Sequence, residues 1–382
     1  MLKCDEAPNS CGACLKRGTC CSFKQPIPPP SLQPIPSPQP QVSKPIPVSS
    51  LLDLELLHNF SNKTCTTITQ NAALYDFYRT DFITEALKCT YVLHCLLGLS
   101  ALHLVHQQHE LLQTAPSHEL PAIRTKLEDY LLAASFHYNA GLSTFRQDIT
   151  HINEQNCHNL FAASTLIVMT SFADSCDSVR LSSVANEGPD PTVTKWHILL
   201  RGIKAVVEGT WQWVKSGPMA PILAPRRLEG YDTEVAAEDE DAKRYLETLS
   251  DSFKEHSDPE VSRICITAIE LLRKSWAGIA SGCDFGVAFF WAVLVDDEFM
   301  ALLEMKRSEA LLVLGAFCVL MYGENWQWWM RGWPKTMLRM IEGMVEERWR
   351  GWLEWPASVI ADEEAGQWKE KVLVVTEGIC CQ

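Results

Sequence analysis

The chain has 382 residues, 47% of them hydrophobic and 21% charged, enough apolar material for a sizeable core and enough length for two or three domains. Its formal net charge of −14 excludes nucleic-acid binding over the surface as a whole. Residues 1–50 carry five Lys/Arg against two acids, a net of +3, which leaves −17 on the remainder, so only the short N-terminal head can face phosphates.

In chain order, the first informative stretch is residues 3–23, where Cys4, Cys11, Cys14 and Cys21 are spaced C-x(6)-C-x(2)-C-x(6)-C. Thiolate is the preferred soft donor of tetrahedral zinc, and a Cys-x-x-Cys pair such as Cys11 and Cys14 lets one turn aim two sulfurs at one ion. Pro8 and Gly12 supply turn chemistry around the pair. Lys16 and Arg17 offset the charge of a thiolate cluster and can approach phosphates. Met1-Leu2-Lys3 is not the apolar core of a leader, which argues against a secreted disulfide framework. No βαβ pattern follows, which argues against a thioredoxin-like motif.

Residues 26–50 form a linker: ten of the twenty-two residues from Pro26 to Pro47 are proline, mixed with Gln and Ser, and such a stretch is extended. Leu51 to Phe60 opens a different kind of sequence. From about residue 84 the periodicity is helical, with predicted helices over 84–113, 120–147, 151–172, 193–215, 258–281, 307–323 and 326–350. Leu127, Leu131, Ala134, Tyr138, Leu142 and Phe145 mark one apolar stripe. Gly188-Pro189-Asp190-Pro191 breaks the body, and Glu229–Asp241, with seven acids, reads as a solvated loop rather than an activation segment. No run alternates with period two. The expectation is all-α: a short Cys-rich N-terminal segment, a Pro-rich linker and a bundle of eight to eleven helices. The longest apolar run, Ala310 to Tyr322, is too short to span a bilayer, so no membrane span is expected. Cys89, Cys95, Cys157, Cys265 and Cys318 stand singly among apolar residues, as free thiols do in a reducing compartment.

Sites within the helical body are faint. His94, His103, His106 and His109 share a helix, but no carboxylate or cysteine completes a ligand set, so ordinary helix histidines are the preferred reading. Trp326, Trp328, Trp329, Trp333, Trp349, Trp352 and Trp355 read as packing residues before they read as the walls of a lipid pocket. Neither Gly-x-Ser-x-Gly, a phosphate loop ending in Lys-Ser/Thr, nor His-Glu-x-x-His occurs, and no enzymatic activity is expected.

The cysteine spacing, with Lys3 before Cys4 and Lys16-Arg17-Gly18 after Cys14, resembles the second part of a fungal zinc binuclear cluster, the DNA-binding module of a large class of fungal transcription factors. Three further places resemble the helical regulatory domain of the sterol uptake control type. They are Leu51 to Phe60, Leu93 to Leu104, and Glu309 to Phe317 with Trp328-Trp329-Met330-Arg331-Gly332-Trp333 and Trp355-Pro356. The resemblance divides the chain into residues 1–25, a partial zinc cluster; 26–50, the linker; and 51–382, the regulatory domain. It implies zinc as cofactor, two ions in an intact module, with Cys4, Cys11, Cys14 and Cys21 as ligands and Cys20 at a variable position. Lys3, Lys16 and Arg17 are the residues it places near DNA.

Starting at Met1, the sequence lacks the first two cysteines of the family pattern. One zinc would keep Cys11, Cys14 and Cys21 and the other Cys4 and Cys11, so neither site closes in the family manner. Without metal a small module of this kind is expected to be disordered. The resemblance implies a nuclear, sequence-specific regulator of RNA polymerase II genes, sterol-related or secondary-metabolite, that contacts DNA through residues 1–25 once the module is completed. A small apolar ligand and a homo- or hetero-oligomer are further partners found with this architecture. The rival reading is a regulatory or ligand-binding module without DNA binding of its own. An upstream in-frame Cys-x-x-Cys with several Lys/Arg, or salt-dependent DNA affinity, separates the two.

Overall fold

The computed structural model describes residues 51–69, 72–174, 195–223, 240–280, 286–323 and 327–361, together with Gly12, Lys16 and Gly18. The chain divides into two units, residues 1–45 and 46–382. In the first, Gly12 and the exposed Lys16 have helical backbone and Gly18 has φ of +63°. Cys4, Cys11, Cys14, Cys21, Lys3, Arg17 and the Pro-rich linker lie outside the described residues.

The described part of the second unit is built from helices, and no strand occurs among its described residues. Helix α1 (Leu51–Asn62) is followed by a 3-10 turn at Thr64–Thr67 and a short helical stretch over 72–86 interrupted by a π turn at Phe77–Asp81. Helix α2 (Thr90–Thr114) is buried on all sides from Tyr91 to His106. A helix apolar all round belongs in the middle of a domain, and α1, α3 (Leu120–Asp148) and α4 (Cys157–Asp174) pack around it. Its end is chemical: Ala115 precedes Pro116 and is extended at φ −72°, ψ 145°, the region that a following proline enforces. Asn153 Oδ1 accepts from the backbone N–H of Gln155 and Asn156 at 2.9 and 3.2 Å, a turn that delays α4 to Cys157 rather than residue 151.

Helix α3 approaches α2 closely at one point. A Cβ on Gly141 would sit 2.9 Å from Cys95 Sγ and 3.2 Å from the Tyr91 carbonyl oxygen, so glycine there is a condition of the packing. The buried line of α3 runs through Tyr130, Ala134, His137, Gly141 and Phe145, whereas Leu127, Leu131, Tyr138 and Leu142 of the expected stripe are half-buried. The buried face is therefore rotated slightly toward His137 and Gly141, which an apolar count does not weight.

Helix α5 (Lys195–Val214) packs on α4. Helix α6 (Glu240–His256) was not anticipated: the last two acids of the run expected as a loop form its first turn, where they complement the helix dipole. Its buried side is Ala242, Tyr245, Leu246, Leu249 and Phe253. Helix α7 (Pro259–Ala280) begins with proline at its first position and Asp258 Oδ1 accepting from the Glu260 N–H at 2.9 Å. Short helices α8 (Gly286–Leu294) and α9 (Asp297–Glu304) lead into α10 (Ser308–Tyr322), buried from Ser308 to Met321 and the centre of the C-terminal half. The single helix expected over 326–350 is instead α11 (Trp333–Glu342) and a 3-10 turn at Glu347–Leu353, followed by α12 (Glu354–Ala361). Gly332 at φ +86° with Pro334 starts α11 afresh, and Gly343 ends it.

Of the tryptophans expected to pack, Trp328, Trp329, Trp333 and Trp349 are buried, Trp352 and Trp355 are half-buried against the core, and Trp326 lies outside the described residues. Trp355 stacks on Tyr245 at 4.4 Å, and Phe172 of α4 meets Trp333 edge-on at 5.0 Å, joining the two halves of the unit.

Candidate functional site

Among the described residues, the chemistry-bearing side chains gather in two buried polar clusters on α2. In the first, Asn59 donates to Ser100 Oγ at 3.0 Å and to Thr64 Oγ1 at 3.1 Å, and Ser100 donates to the Leu56 carbonyl at 2.7 Å. Thr64 Oγ1 also meets His103 Nδ1 at 2.9 Å, and Gln107 reaches His103 Nε2 at 3.2 Å. Trp328 closes the cluster from the C-terminal half. Its ring stacks on His103 at 4.9 Å and on His106 at 5.7 Å, and its indole N–H donates to Thr67 Oγ1 at 3.0 Å. Burial holds the His103 imidazole down at about 3, so it is neutral at any ordinary pH.

The second cluster joins three helices. His137 Nε2 of α3 lies 3.1 Å from Asp53 Oδ1 of α1, and His137 Nδ1 lies 2.8 Å from His94 Nδ1 of α2. A carboxylate only accepts, so His137 donates through Nε2 and, when neutral, accepts at Nδ1 from the His94 N–H. This leaves His94 Nε2 as a lone-pair terminus, buried and without a hydrogen-bond partner. Burial first, and then the neighbouring His137, push His94 down to about 4. Burial also lowers His137, against the opposing pull of Asp53. Nearby, Tyr130 donates to Glu55 Oε1 at 2.7 Å, a second tie between α3 and α1.

No group of three or more His, Cys, Asp or Glu side chains among the described residues is arranged to hold a metal ion. His94, His103 and His106 are buried rather than exposed on their helix. Cys65, Cys95, Cys157, Cys265 and Cys318 are buried free thiols, and burial pushes Cys95 and Cys265 up to about 12, away from reactivity. A groove of about 250 Å³ runs along α7 opposite the α8–α9 junction, lined by Ile264, Leu271, Lys274, Leu294, Asp296 and Phe299 among others.

Residues 55–212 match the family described as fungal specific transcription factor domain. That stretch is therefore similar to a fungal transcription factor domain. Glu55, Asn59, Thr64, His94, Ser100, His103 and His137 all fall inside the matched stretch, whereas Trp328 lies beyond it. The matched family is a class of regulators, not of enzymes. Over 328 residues the chain is 24% identical to a Zn(2)-C6 fungal-type transcription factor of Gibberella zeae, covering 81% of this chain and 62% of that one. Over 163 residues it is 24% identical to sterol uptake control protein 2 of Saccharomyces cerevisiae, covering 42% of this chain and 16% of that one. The chain thus spans less than two thirds of the length of these relatives. No helix among the described residues is long and apolar enough to cross a membrane.

Asn59, Thr64, Ser100 and His137, which tie these helices together, carry no signal in sequence order. Apart from Asn59 with Thr64, their bonded pairs are separated by 39 to 84 positions, and Trp328 is 261 positions from Thr67.

Proposed function

We propose that the protein is a nuclear fungal transcriptional regulator of RNA polymerase II genes, with residues 51–382 as its helical regulatory domain and residues 1–25 as its DNA-contacting module. The observation that carries this reading is the family match across residues 55–212, whose buried clusters hold α1, α2 and α3 together. The Zn(2)-C6 description of one relative and the cysteine spacing at the N-terminus support the DNA-binding half. Likeness to sterol uptake control protein 2 supports sterol-related genes as targets, with secondary-metabolite genes as the alternative set.

Cys4, Cys11, Cys14 and Cys21 supply four thiolates, the number that one closed tetrahedral zinc requires. Zinc held there would supply the folding energy of a segment too small to build its own core. Lys3, Lys16 and Arg17 would then contact phosphates, which fix register while base contacts specify sequence. The test is DNA affinity of the zinc-loaded full chain at rising salt, with Cys11→Ala beside it. The reading expects affinity to fall linearly on logarithmic axes and to vanish in Cys11→Ala. Binding too weak to detect at low salt would favour a regulatory module without DNA contact of its own.

A further inference from the structure

The first turn of α1, residues 51–54, has no fully buried side chain. The fully buried side chains of the helix, Leu56, Asn59 and Phe60, all lie beyond the first turn, where Leu51 and Leu54 are 87% and 62% exposed. From the first turn Leu52 packs half-buried on the core, and Asp53 bonds His137 of α3. His137 in turn rests on His94 of α2, so one hydrogen-bond chain crosses three helices.

Two imidazoles facing each other through Nδ1 share one proton between them. In the docked arrangement both rings are taken from water, and Asp53 is the carboxylate that acts on both. Glu55, the other carboxylate of this stretch of α1, is engaged by the Tyr130 hydroxyl. Phe136, from α3, sets its ring edge-on to His94 at 6.0 Å and to His137 at 5.2 Å and brings no charge.

We propose that Asp53, His137 and His94 form a proton-operated clamp on α1, so that acidification favours release of its first turns while α2 and α3 stay folded. The direction follows from linkage. With α1 docked, burial outweighs the attraction of Asp53 and keeps the rings neutral. With α1 released, His137 meets water and takes up a proton near its ordinary value of about 6.5. The released form therefore gains protons that the docked form refuses, and the balance moves toward release as pH falls below about 6.5. Each further pH unit shifts it by up to about tenfold per histidine uncovered.

Hydrogen–deuterium exchange on the full chain tests this, reading the amides of residues 55–58, which bond to the carbonyls of residues 51–54, after correction for intrinsic rates. Between pH 7.5 and 5.0 their protection is expected to fall by about tenfold, while that of residues 90–106 holds. His137→Gln keeps a side-chain N–H for Asp53 but does not titrate, and is expected to remove the pH dependence. If that variant does not fold, Asp53→Asn retains an acceptor without the charge that favours the docked imidazolium, and is expected to steepen it. Protection of 55–58 that is flat with pH, that falls equally in His137→Gln, or that falls only in step with 90–106 would overturn the clamp.

Discussion

Gly141→Ala tests the packing that positions both buried clusters, because α2 and α3 carry His94, His103 and His137 and meet where this glycine sits. The new methyl would lie 2.9 Å from Cys95 Sγ, 3.2 Å from the Tyr91 carbonyl oxygen and 3.3 Å from the Cys95 nitrogen. Two of those three atoms are backbone of α2, so relief requires the helices to part. Forcing a methyl into a filled interface costs about 1–3 kcal/mol, against a gain of about 1 kcal/mol for replacing glycine inside a helix. A 2.9 Å approach is closer than a Cβ tolerates, which puts the cost in the upper half of that range and the net loss at about 1–2 kcal/mol, read as a lower urea midpoint at unchanged slope. Gly98→Ala on the facing helix is the internal control. Its nearest neighbour would be the Tyr138 nitrogen at 3.5 Å, ordinary contact, so the propensity gain survives and stability stays level or rises by up to about 1 kcal/mol. Adding Cys95→Ala to Gly141→Ala is expected to recover part of the loss. The reasoning fails if Gly141→Ala is as stable as the parent, or if both glycine variants shift the midpoint alike.

Other expectations follow from the same geometry. Asn59→Ala leaves Thr64 Oγ1 and Ser100 Oγ without their donor in the buried cluster, and a loss of about 1–3 kcal/mol in urea unfolding is expected. His103 is held down at about 3 by burial, so the unfolded chain binds the extra proton between there and about 6.5. Its contribution is whole above about 6.5 and erodes as pH falls toward 3; the urea midpoint at pH 5 should lie below that at pH 7.5, and less so in His103→Gln. Lys16→Ala, at an exposed position, should reduce the salt slope of DNA binding by about one without changing sequence preference.

The parts of this fold that were readable in sequence are those where one property dominates locally. Ala310–Tyr322 is apolar on every face and became α10, and the run around Leu93–Leu104 became the middle of α2. Helix α6 escaped because its average is polar and it opens on acids, although Tyr245, Leu246, Leu249 and Phe253 line one side. The stretch over 326–350 looked continuous because tryptophan and arginine repeat at helical spacing. The backbone at Gly332, with φ of +86°, breaks it, and a periodicity count does not see φ. The polar clusters were the least legible. Single Asn, Ser, Thr and His residues among leucines look incidental until folding brings Leu56–Thr67 against Leu93–Gln107. Sequence spacing groups His94 and His103 on one helix, whereas folding places them in two separate buried networks. The thiolate pattern of Cys4, Cys11, Cys14 and Cys21 was legible as spacing alone and rests there, outside the described residues.

The measurement that bears most directly on the central claim is chromatin occupancy of the tagged full chain in its native host, compared with a Cys11→Ala/Cys14→Ala variant. The account predicts enrichment at a discrete set of promoters, lost in the variant although the helical domain remains folded. Absence of promoter enrichment, or enrichment that survives removal of both thiolates, would contradict a regulator that reads DNA through residues 1–25.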